Sequence, residues 1–506
     1  MNKKRRTILY LFLALAGYAA LLGLLVWVER GREGALIDTL PKALWYSLVT
    51  LTTVGYGDLY PITPAGRLIG LIFLLLSTGL LALLIGLVAT ALTGRLLPGL
   101  RLWRGRRKRW YVFSTDNAAS RALADRLDDG LVVFCRGRDS RHLPGELVLR
   151  QTPRALFDRS ASRAGERVFF AMDKDALANE RDALALKCLP LRIYVRTEGP
   201  GENLPQNVTP FNEYECCARL YWQTRPWKSG GERIALLGDG RYARALLDQG
   251  LLTAPPGCAI DLFGQWDDWR ALHRAVLALE GSAVALRFHA GGWRGGLEQL
   301  RAAGRVVVCG DDHRANLDAL RQLRLYCPIQ GPIDVRAPLG LQDAFCFGHG
   351  ETLFTPELVM KQSLNRLARQ MHALYRAQAG YPVPEWEALS DFLKRSNFAA
   401  ADHLLTKARL LLPDEDVREL TNDVCRKAAA RFDALDDAGR ARCRRIEHDR
   451  WVLFHALYNW RYAPERNNGA REHPLMVPYD ALDKAERVKD DGAWLLLHTL
   501  AKEDKP

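Results

Sequence analysis

Long uncharged apolar runs occur near the start of the chain, at residues 8–28 and 68–93, and the rest alternates short apolar and polar segments. A helix needs about 20 apolar residues to cross a hydrocarbon core roughly 30 Å thick. Both runs meet that length, and the first lacks the small-residue cleavage site of a signal peptide. The pattern predicts two membrane-spanning helices followed by a large soluble region.

Basic residues flank the two runs on their outer sides. Residues 3–6 read KKRR before the first run, and an arginine-rich stretch at 101–109 follows the second. Cytoplasmic flanks of membrane helices carry such positive charge. We therefore expect both termini in the cytoplasm and residues 29–67 on the outer side. The formal net charge of +13 is then attributed to contact with the membrane surface rather than with nucleic acid.

The outward segment carries the most specific motif of the sequence. Residues 41–51 form a short apolar stretch that begins at Pro41, which suits the first turn of a helix. The stretch is too short to span, so we expect a re-entrant helix. It runs directly into TTVGYGD at residues 52–58. This sequence is similar to the selectivity filter of the two-span potassium-channel family. The resemblance covers residues 1–95 and implies a pore module at 1–100.

The resemblance also implies roles for the filter residues. Backbone carbonyls, with the Thr53 hydroxyl, would line the path of K⁺; they belong to Thr53, Val54, Gly55 and Tyr56. Gly57 completes the filter, and both glycines allow backbone angles that other residues resist. Trp45 and Asp58 would brace the filter from behind. Because one subunit supplies a quarter of the ring, a homotetramer is required.

The second apolar run is the expected pore-lining helix. Gly79 and Gly86 interrupt its aliphatic sequence. A glycine in a membrane helix either permits a bend at a gate or allows a neighbouring helix to approach closely. Both alternatives stay open, with Gly79 the better hinge candidate. Neither run carries regularly spaced arginines, so the sequence does not predict a voltage sensor.

Beyond Arg109 the periodicity changes. Short apolar runs separated by amphipathic stretches are typical of buried parallel strands and their connecting helices. The runs lie at 111–113, 131–134, 168–170 and 193–195, and again at 233–237, 259–263, 283–288 and 306–308. The repeat predicts two successive doubly wound, Rossmann-like α/β units, at 109–228 and 231–350.

A glycine-containing turn follows the first strand of the second unit. Gly238, Gly240 and Ala243 form a GxGxxA sequence, and a glycine turn at a helix N-terminus offers N–H groups to phosphate. The corresponding turn of the first unit, residues 114–120, has no glycine. A nucleotide site and a turn kept for tight strand–helix packing both fit the motif.

Acidic turns recur at matching places in the two units. Residues 173–175 precede Asn179, and residues 311–312 precede Asn316. This pattern, directly after a pore module, resembles the RCK (regulator of potassium conductance) family, which is TrkA-N-like. Some such domains bind a divalent cation, so Ca²⁺ is an alternative ligand. Aspartate more often caps the start of a helix.

Residues 355–490 predict a connecting helix and a small helical domain. Its separated elements are WEALS at 386–390, SNFAAADH at 396–403, EHDRW at 447–451, NWRY at 459–462 and HPLMVPYD at 473–480. Their order resembles the helical repeat of ryanodine receptors, the RyR domain. Asn459 departs from the glycine expected before the tryptophan.

Aromatic and polar side chains of these elements suit a small-molecule pocket. Flat faces stack on a base, and polar groups bind phosphate or base edges. The candidate residues are Trp386, Asn397, His403, Trp451, Trp460, Arg461, Tyr462 and His473. The alternative is that the aromatic residues form the core of a small helical domain.

Together these features predict a subunit of a ligand-gated potassium channel in a prokaryotic inner membrane. The expected ligand is nucleotide-like and binds the RCK-like or RyR-like regions. Alternatives are gating by calcium and a nucleotide-activated channel effector of a stress or antiviral response. The sequence has no P-loop, GxSxG sequence or metal triad, so we do not expect an enzyme. All ten cysteines follow residue 130 without CxxC spacing, which is typical of reduced thiols in the cytosol.

Overall fold

The chain folds into two compact units, Met1–Gly105 and Arg106–Pro506. The structure, a computed structural model, describes residues 3–91, 97–136, 146–160, 165–199, 204–228, 231–279, 284–338, 340–378 and 382–502. The helices of the N-terminal unit are α1 (Lys3–Glu29), α2 (Leu40–Leu51), α3 (Pro64–Ala91) and α4 (Leu97–Arg104).

Apolar side chains and one buried carboxylate hold α1, α2 and α3 together. Leu25, Ala43 and Phe73 are buried between these helices. The carboxylate of Glu29, at the end of α1, accepts from the N–H and hydroxyl of Thr63 at 3.0 and 2.6 Å. Since Thr63 directly precedes α3, this contact fixes the start of α3 against the end of α1.

The first predicted span lies within α1, and the second overlaps α3. The side chains of residues 8–15 and of several α3 residues, among them Gly79, lie outside the described part of the chain. Within the described part, no helix combines the length and apolarity that a membrane crossing requires.

The first α/β unit is one parallel sheet with connecting helices. In chain order its elements are β1 (Trp110–Phe113), α5 (Ala118–Ala124), β2 (Leu131–Phe134), β3 (Glu146–Val148), α6 (Pro153–Ser160), β4 (Arg167–Ala171), α7 (Ala176–Leu186), β5 (Arg192–Thr197) and β6 (Val208–Asn212). The strand order is β3-β2-β1-β4-β5-β6. Phe113 stacks between Phe134 and Phe170, with ring centroids 5.1 and 4.8 Å away.

Helix α8 (Glu213–Thr224) leads from the first unit to the second. The second unit contains β7 (Arg233–Leu237), α9 (Arg241–Thr253), β8 (Cys258–Phe263), α10 (Asp267–Leu272), α11 (Arg274–Leu277), β9 (Val284–His289), α12 (Leu297–Arg301), β10 (Arg305–Val308), α13 (His313–Tyr326), β11 (Ile333–Arg336) and β12 (Phe345–Phe347). Its parallel sheet has the order β9-β8-β7-β10-β11-β12, the same as in the first unit. The prediction of two doubly wound units is therefore confirmed, and both have the strand order of dinucleotide-binding folds.

The remainder is mainly helical. It consists of α14 (Gly350–Leu353), α15 (Pro356–Val359), α16 (Arg366–Gln378), α17 (Asp391–Asp402), α18 (Leu404–Leu411), α19 (Asn422–Asp433), α20 (Asp437–Leu457), β13 (Arg461–Tyr462), β14 (Glu472–His473), α21 (Lys484–Lys489) and α22 (Gly492–Leu500). We refer to residues 350–502 as the helical region. Its core includes Phe432 and Trp494, whose rings stack at 5.8 Å.

A buried arginine joins α8 to the helical region. Arg219 donates to the two carboxylate oxygens of Asp402 at 2.6 and 3.1 Å. It also donates to the side chain of Asn365 and to the carbonyl of Leu364, both at 2.7 Å. The side chains of Arg219 and Asp402 are 3% and 4% exposed. These hydrogen bonds are therefore shielded from solvent and connect α8 to the helical region.

Candidate functional site

The predicted filter segment, residues 52–58, follows α2 and is anchored to that helix by backbone hydrogen bonds. The N–H groups of Val54 and Gly55 donate to the carbonyl of Val49 at 3.1 and 3.3 Å. The φ angles of Thr53, Gly55 and Gly57 are 58°, 57° and 75°, whereas Val54 and Tyr56 between them lack positive φ. Backbone that alternates in handedness allows successive carbonyl oxygens to face one side, as an ion-coordinating column requires.

Trp45 and Asp58 meet behind the filter segment. The indole Nε1 of Trp45 donates to Asp58 at 2.9 Å. The Trp45 ring also stacks on Tyr56 with a centroid separation of 6.1 Å. The predicted bracing pair is therefore in contact, and it ties α2 to the residue that ends the filter.

The two glycines proposed as bending points differ in what the structure describes. The surroundings of Gly79 lie outside the described side chains. At Gly86 a Cβ would meet no described atom of this chain within 4 Å beyond its own helix. Bending and close packing against another subunit both remain predictions for these positions.

The glycine turn of the second unit is closed by a carboxylate of the same chain. Asp311, which follows β10, accepts from the N–H groups of Arg241 and Tyr242 at 3.1 and 3.2 Å. A Cβ at Gly240 would lie 2.4 Å from the Asp311 side chain. Gly238 has φ 135°, and a Cβ there would lie 2.8 Å from the backbone nitrogen of Gly310. Asp311 thus occupies the position at the N-terminus of α9 where a phosphate would bind.

The turn of the first unit is closed by internal contacts as well. Asn117 caps α5 by accepting from Ser120 N–H at 2.8 Å, and it donates to the carbonyl of Met172 at 2.7 Å. The carboxylate of Asp116 binds Arg121 through two hydrogen bonds of 2.7 and 2.9 Å. The side chains of Asp116 and Asn117 therefore have hydrogen-bond partners within the chain itself.

The paired acidic turns act as helix caps. Asp175 accepts from Leu177 N–H at 3.0 Å at the start of α7. Asp312 accepts from Arg314 and Ala315 N–H groups at 2.7 and 3.0 Å at the start of α13. In the described part of the chain no group of three or more His, Cys, Asp or Glu side chains could hold a metal ion.

Three of the candidate residues of the helical region come together. Trp451 lies edge-on to His473 at 5.0 Å, and the rings of Trp460 and His473 are 6.2 Å apart. His455 sits between them, 3.8 Å from Trp451 and 5.3 Å from Trp460. We call Trp451, His455, Trp460 and His473 the aromatic–histidine cluster.

His455 and Phe392 were missed by the sequence analysis. Phe392 stacks on Trp460 at 5.3 Å and links the cluster to α17. Nδ1 of His455 donates to the carbonyl of Trp451, 2.9 Å away. Burial lowers the pKa of His455 to about 3. The signal in the sequence was its position four residues after Trp451, because residues four apart lie on the same face of a helix.

The other candidates lie elsewhere. Trp386 packs against Phe398 and His372 in the core of the helical region, and Asn397 donates to the carbonyl of Leu393 on α17. His403 is 1% exposed, and its pKa is lowered well below the usual value by burial and then by Lys407. Arg461 pairs with Glu472 at 2.6 Å and is exposed, like Tyr462.

Residues 7–94 match a family model described as "Ion channel". A voltage-gated potassium channel of Aeropyrum pernix is 45% identical over 62 residues, which are 12% of this chain and 21% of that protein. The human potassium voltage-gated channel subfamily A member 6 is 36% identical over 62 residues, 12% of each chain. This chain therefore spans about a fifth or less of the length of these relatives.

Solved structures also resemble the chain at low identity. The GsuK channel is 18% identical, with a TM-score of 0.35 over 69% of this chain and 95% of that one. A GsuK channel bound to NAD is 15% identical, with a TM-score of 0.34 over 71% and 84% of the two chains.

Proposed function

We propose that this chain is one subunit of a homotetrameric, potassium-selective channel whose opening is controlled by a small molecule bound to its C-terminal four-fifths. The filter segment at 52–58 carries the proposal. It combines TTVGYGD, alternating backbone handedness and a short preceding helix, within a stretch that matches an ion-channel family.

The proposed selectivity comes from backbone oxygen atoms. K⁺ enters a filter only if carbonyl groups replace its hydration shell, and four copies of an extended loop supply stacked rings of them. The carbonyls of Thr53, Val54, Gly55 and Tyr56, with the Thr53 hydroxyl, would form these rings. The contact of Trp45 with Asp58 supports the proposal because it would resist widening of each loop.

Exposed apolar side chains support assembly into a ring. Trp45, Val54 and Tyr56 are 47%, 54% and 67% exposed in the single chain. Large apolar groups clustered at one segment mark an interaction surface. Neighbouring subunits would cover them, with α1 and α3 of each in a prokaryotic inner membrane and both termini in the cytoplasm.

A ligand would act by preferring one state of the channel. A closed–open equilibrium shifts only as far as the ligand binds one state more tightly than the other. We propose a nucleotide-like ligand, since the α/β units have the strand order of dinucleotide-binding folds. The resemblance of the helical region to the RyR domain belongs to this proposal too.

Ion flux from liposomes that contain the purified full-length protein tests the function. Vesicles loaded with K⁺ or with Na⁺ are compared with and without AMP, ADP, NAD⁺ and Ca²⁺. We expect K⁺ flux to exceed Na⁺ flux and one nucleotide to change it. Equal flux of the two ions would contradict the pore assignment, and K⁺ flux that ignores every nucleotide would contradict the gating assignment.

Two alternatives for the ligand are separated by the same experiment. A response to Ca²⁺ that disappears in Asp175→Asn or Asp312→Asn would favour calcium gating over nucleotide gating. Opening by a nucleotide from a closed resting state would agree with an effector that collapses the membrane potential.

A further inference from the structure

A cavity lies between the second α/β unit and the helical region. Its volume is about 350 Å³, near the lower end of the roughly 300–1,000 Å³ that small-molecule pockets span. Faces of α8, α9, α17 and α20 enclose it, together with residues 198–199 and His273. From α9 it is lined by Arg241, Arg244, Ala245, Asp248, Gln249 and Leu252.

Three arginines of the cavity wall, Arg219 among them, are committed to carboxylates. Arg395 on α17 lies 2.6 Å from Glu215 and 2.6 Å from Asp391. Arg241 pairs with Glu198. These pairs keep positive groups beside the cavity in fixed orientations, although most of their charge is already neutralised.

Arg244 is held more loosely and supplies the anion-binding group. Its Nε donates to the carbonyl of Asp239 at 3.0 Å, which orients the guanidinium. Its Nη2 lies 3.5 Å from Asp268, whose side chain is 82% exposed. An exposed pair at this distance is weak, so a phosphate can replace Asp268 and gain a two-pronged, charge-assisted contact.

A polar group lies one helical turn further along α9. Asp248 accepts from the indole Nε1 of Trp269 at 2.9 Å. His273 stacks on the same indole at 4.4 Å. Burial raises the pKa of Asp248, and the charge of His273 opposes that effect. A carboxyl group in this position suits a ligand hydroxyl or amino group.

The opposite wall is aromatic and aliphatic. It consists of Phe398, Ala399, Phe454, Leu457 and Tyr458. Burial raises the pKa of Tyr458 to about 12, so its hydroxyl stays protonated near neutral pH. The wall therefore offers a flat apolar surface with one hydroxyl group. Phe392 packs behind it against both Phe454 and Tyr458.

We infer that this cavity binds a nucleotide-class ligand, with phosphate at Arg244, a hydroxyl or amino group at Asp248 and the base against the α17–α20 wall. The ligand would touch both the second α/β unit and the helical region. Of the described residues that line the cavity, Arg241 lies within the glycine turn, and none belongs to the candidate set from the sequence.

Such a ligand would act on the junction between the two parts. Arg219 and Gln249 line the cavity and also bind Asp402. A ligand that draws α9 and α17 together stabilises one arrangement of this junction, and the site is then the sensor. That regulatory role rests on the proposed channel function, whereas the binding itself does not.

Calorimetric titration of the full-length channel in detergent tests the binding. The probes are AMP, ADP and NAD⁺, with adenosine and inorganic phosphate as the two halves of the chemistry. We expect a nucleotide to bind more tightly than either half. Arg244→Gln should weaken binding at least about tenfold, and Ala245→Trp, which fills the cavity, should abolish it.

Arg274→Gln and Ala271→Trp are matched controls because both positions are exposed and outside the cavity. They should bind like the unchanged protein. Unchanged affinity in Arg244→Gln and Ala245→Trp overturns the site even if a nucleotide alters flux. No binding by any probe at millimolar concentration also overturns it, while selective K⁺ flux in liposomes would leave the pore assignment intact. Arg244→Gln changes a half-buried group with one weak ion pair, so it keeps the test decisive if Ala245→Trp fails to fold.

Discussion

At the scale of single residues, the proposed filter depends on backbone angles that few side chains tolerate. Gly55 has φ 57°, and the left-handed region costs an ordinary L-residue roughly 1–2 kcal/mol. A tetramer would incur this cost four times at one narrow point. Gly55→Ala should therefore abolish K⁺ flux in liposomes while the protein still assembles.

Gly34→Ala is the matched control for this prediction. Gly34 has φ 78°, and a Cβ there would meet no described atom within 4 Å, as at Gly55. The two changes impose similar backbone strain at different places. Retained flux in Gly34→Ala assigns the effect to the filter, whereas retained flux in Gly55→Ala would contradict the filter assignment.

His455 should make the helical region sensitive to acid. Its pKa is about 3 in the folded protein because of burial, against 6.5 for an ordinary histidine. Between these values the unfolded state binds more protons, so the free energy of unfolding falls as pH decreases. At about pH 4.5 this one group should cost roughly 2–3 kcal/mol relative to neutral pH.

Thermal unfolding of the full-length protein in detergent measures this effect. The change in Tm between about pH 7.5 and pH 4.5 should be smaller in His455→Phe than in the unchanged protein, since a phenyl ring keeps the packing and cannot be protonated. Equal changes in Tm would show that His455 does not carry the acid sensitivity.

At the scale of elements, α8 and α17 are joined by the fully buried ion pair of Arg219 with Asp402 and by the partly buried pair of Arg395 with Glu215. Removing one partner leaves the other charge buried and unpaired, which costs about 3–5 kcal/mol. Arg219→Met should lower the free energy of unfolding in denaturant by that amount. Arg219→Met combined with Asp402→Leu should recover much of the loss.

A surface pair provides the comparison. Arg321 and Asp318 on α13 are 3.0 Å apart, with side chains 73% and 52% exposed. Arg321→Met should change the free energy of unfolding by less than about 1 kcal/mol. A similarly small effect in Arg219→Met would show that the buried ion pair contributes little to the stability of the protein.

The start of α9 should gain affinity for anions when its own carboxylate is removed. Asp311 occupies two N–H groups there. Asp311→Asn should raise the affinity of the protein for inorganic pyrophosphate, measured by calorimetry. Asp312→Asn, one residue further on, removes a negative charge from the start of α13 instead, where asparagine still caps the helix, and should not raise that affinity. Equal affinities would show that Asp311 does not compete with phosphate.

Element prediction succeeded where the strands are buried and apolar. The runs that became β1, β2 and β4 are valine- and phenylalanine-rich and buried along most of their length. The short edge strands β3 and β6 carried weaker signals, and β6 contains Pro210, which is tolerated at a sheet edge. Edge strands need less apolar surface than central strands, so the hydrophobic periodicity of the sequence alone does not reveal them.

At the scale of the whole molecule, contacts between distant segments escaped the sequence analysis. Arg219 and Asp402 are 183 residues apart, and the cavity beside them combines side chains from four helices. In the sequence, the charged residues among them resemble ordinary surface charges of their own helices. The proposed filter, by contrast, is one continuous segment whose chemistry lies in its backbone, so the sequence alone is sufficient to predict it.

The reversal potential of the channel tests the central claim most directly. The full-length protein is placed in a planar bilayer with K⁺ on one side and an equal concentration of Na⁺ on the other. A potassium-selective filter predicts a large reversal potential, with the sign that opposes K⁺ flow from the K⁺ side to the Na⁺ side. Gly55→Ala should carry no K⁺ current. A reversal potential near zero with sustained current would mean that the pore does not distinguish the two ions and would contradict the account.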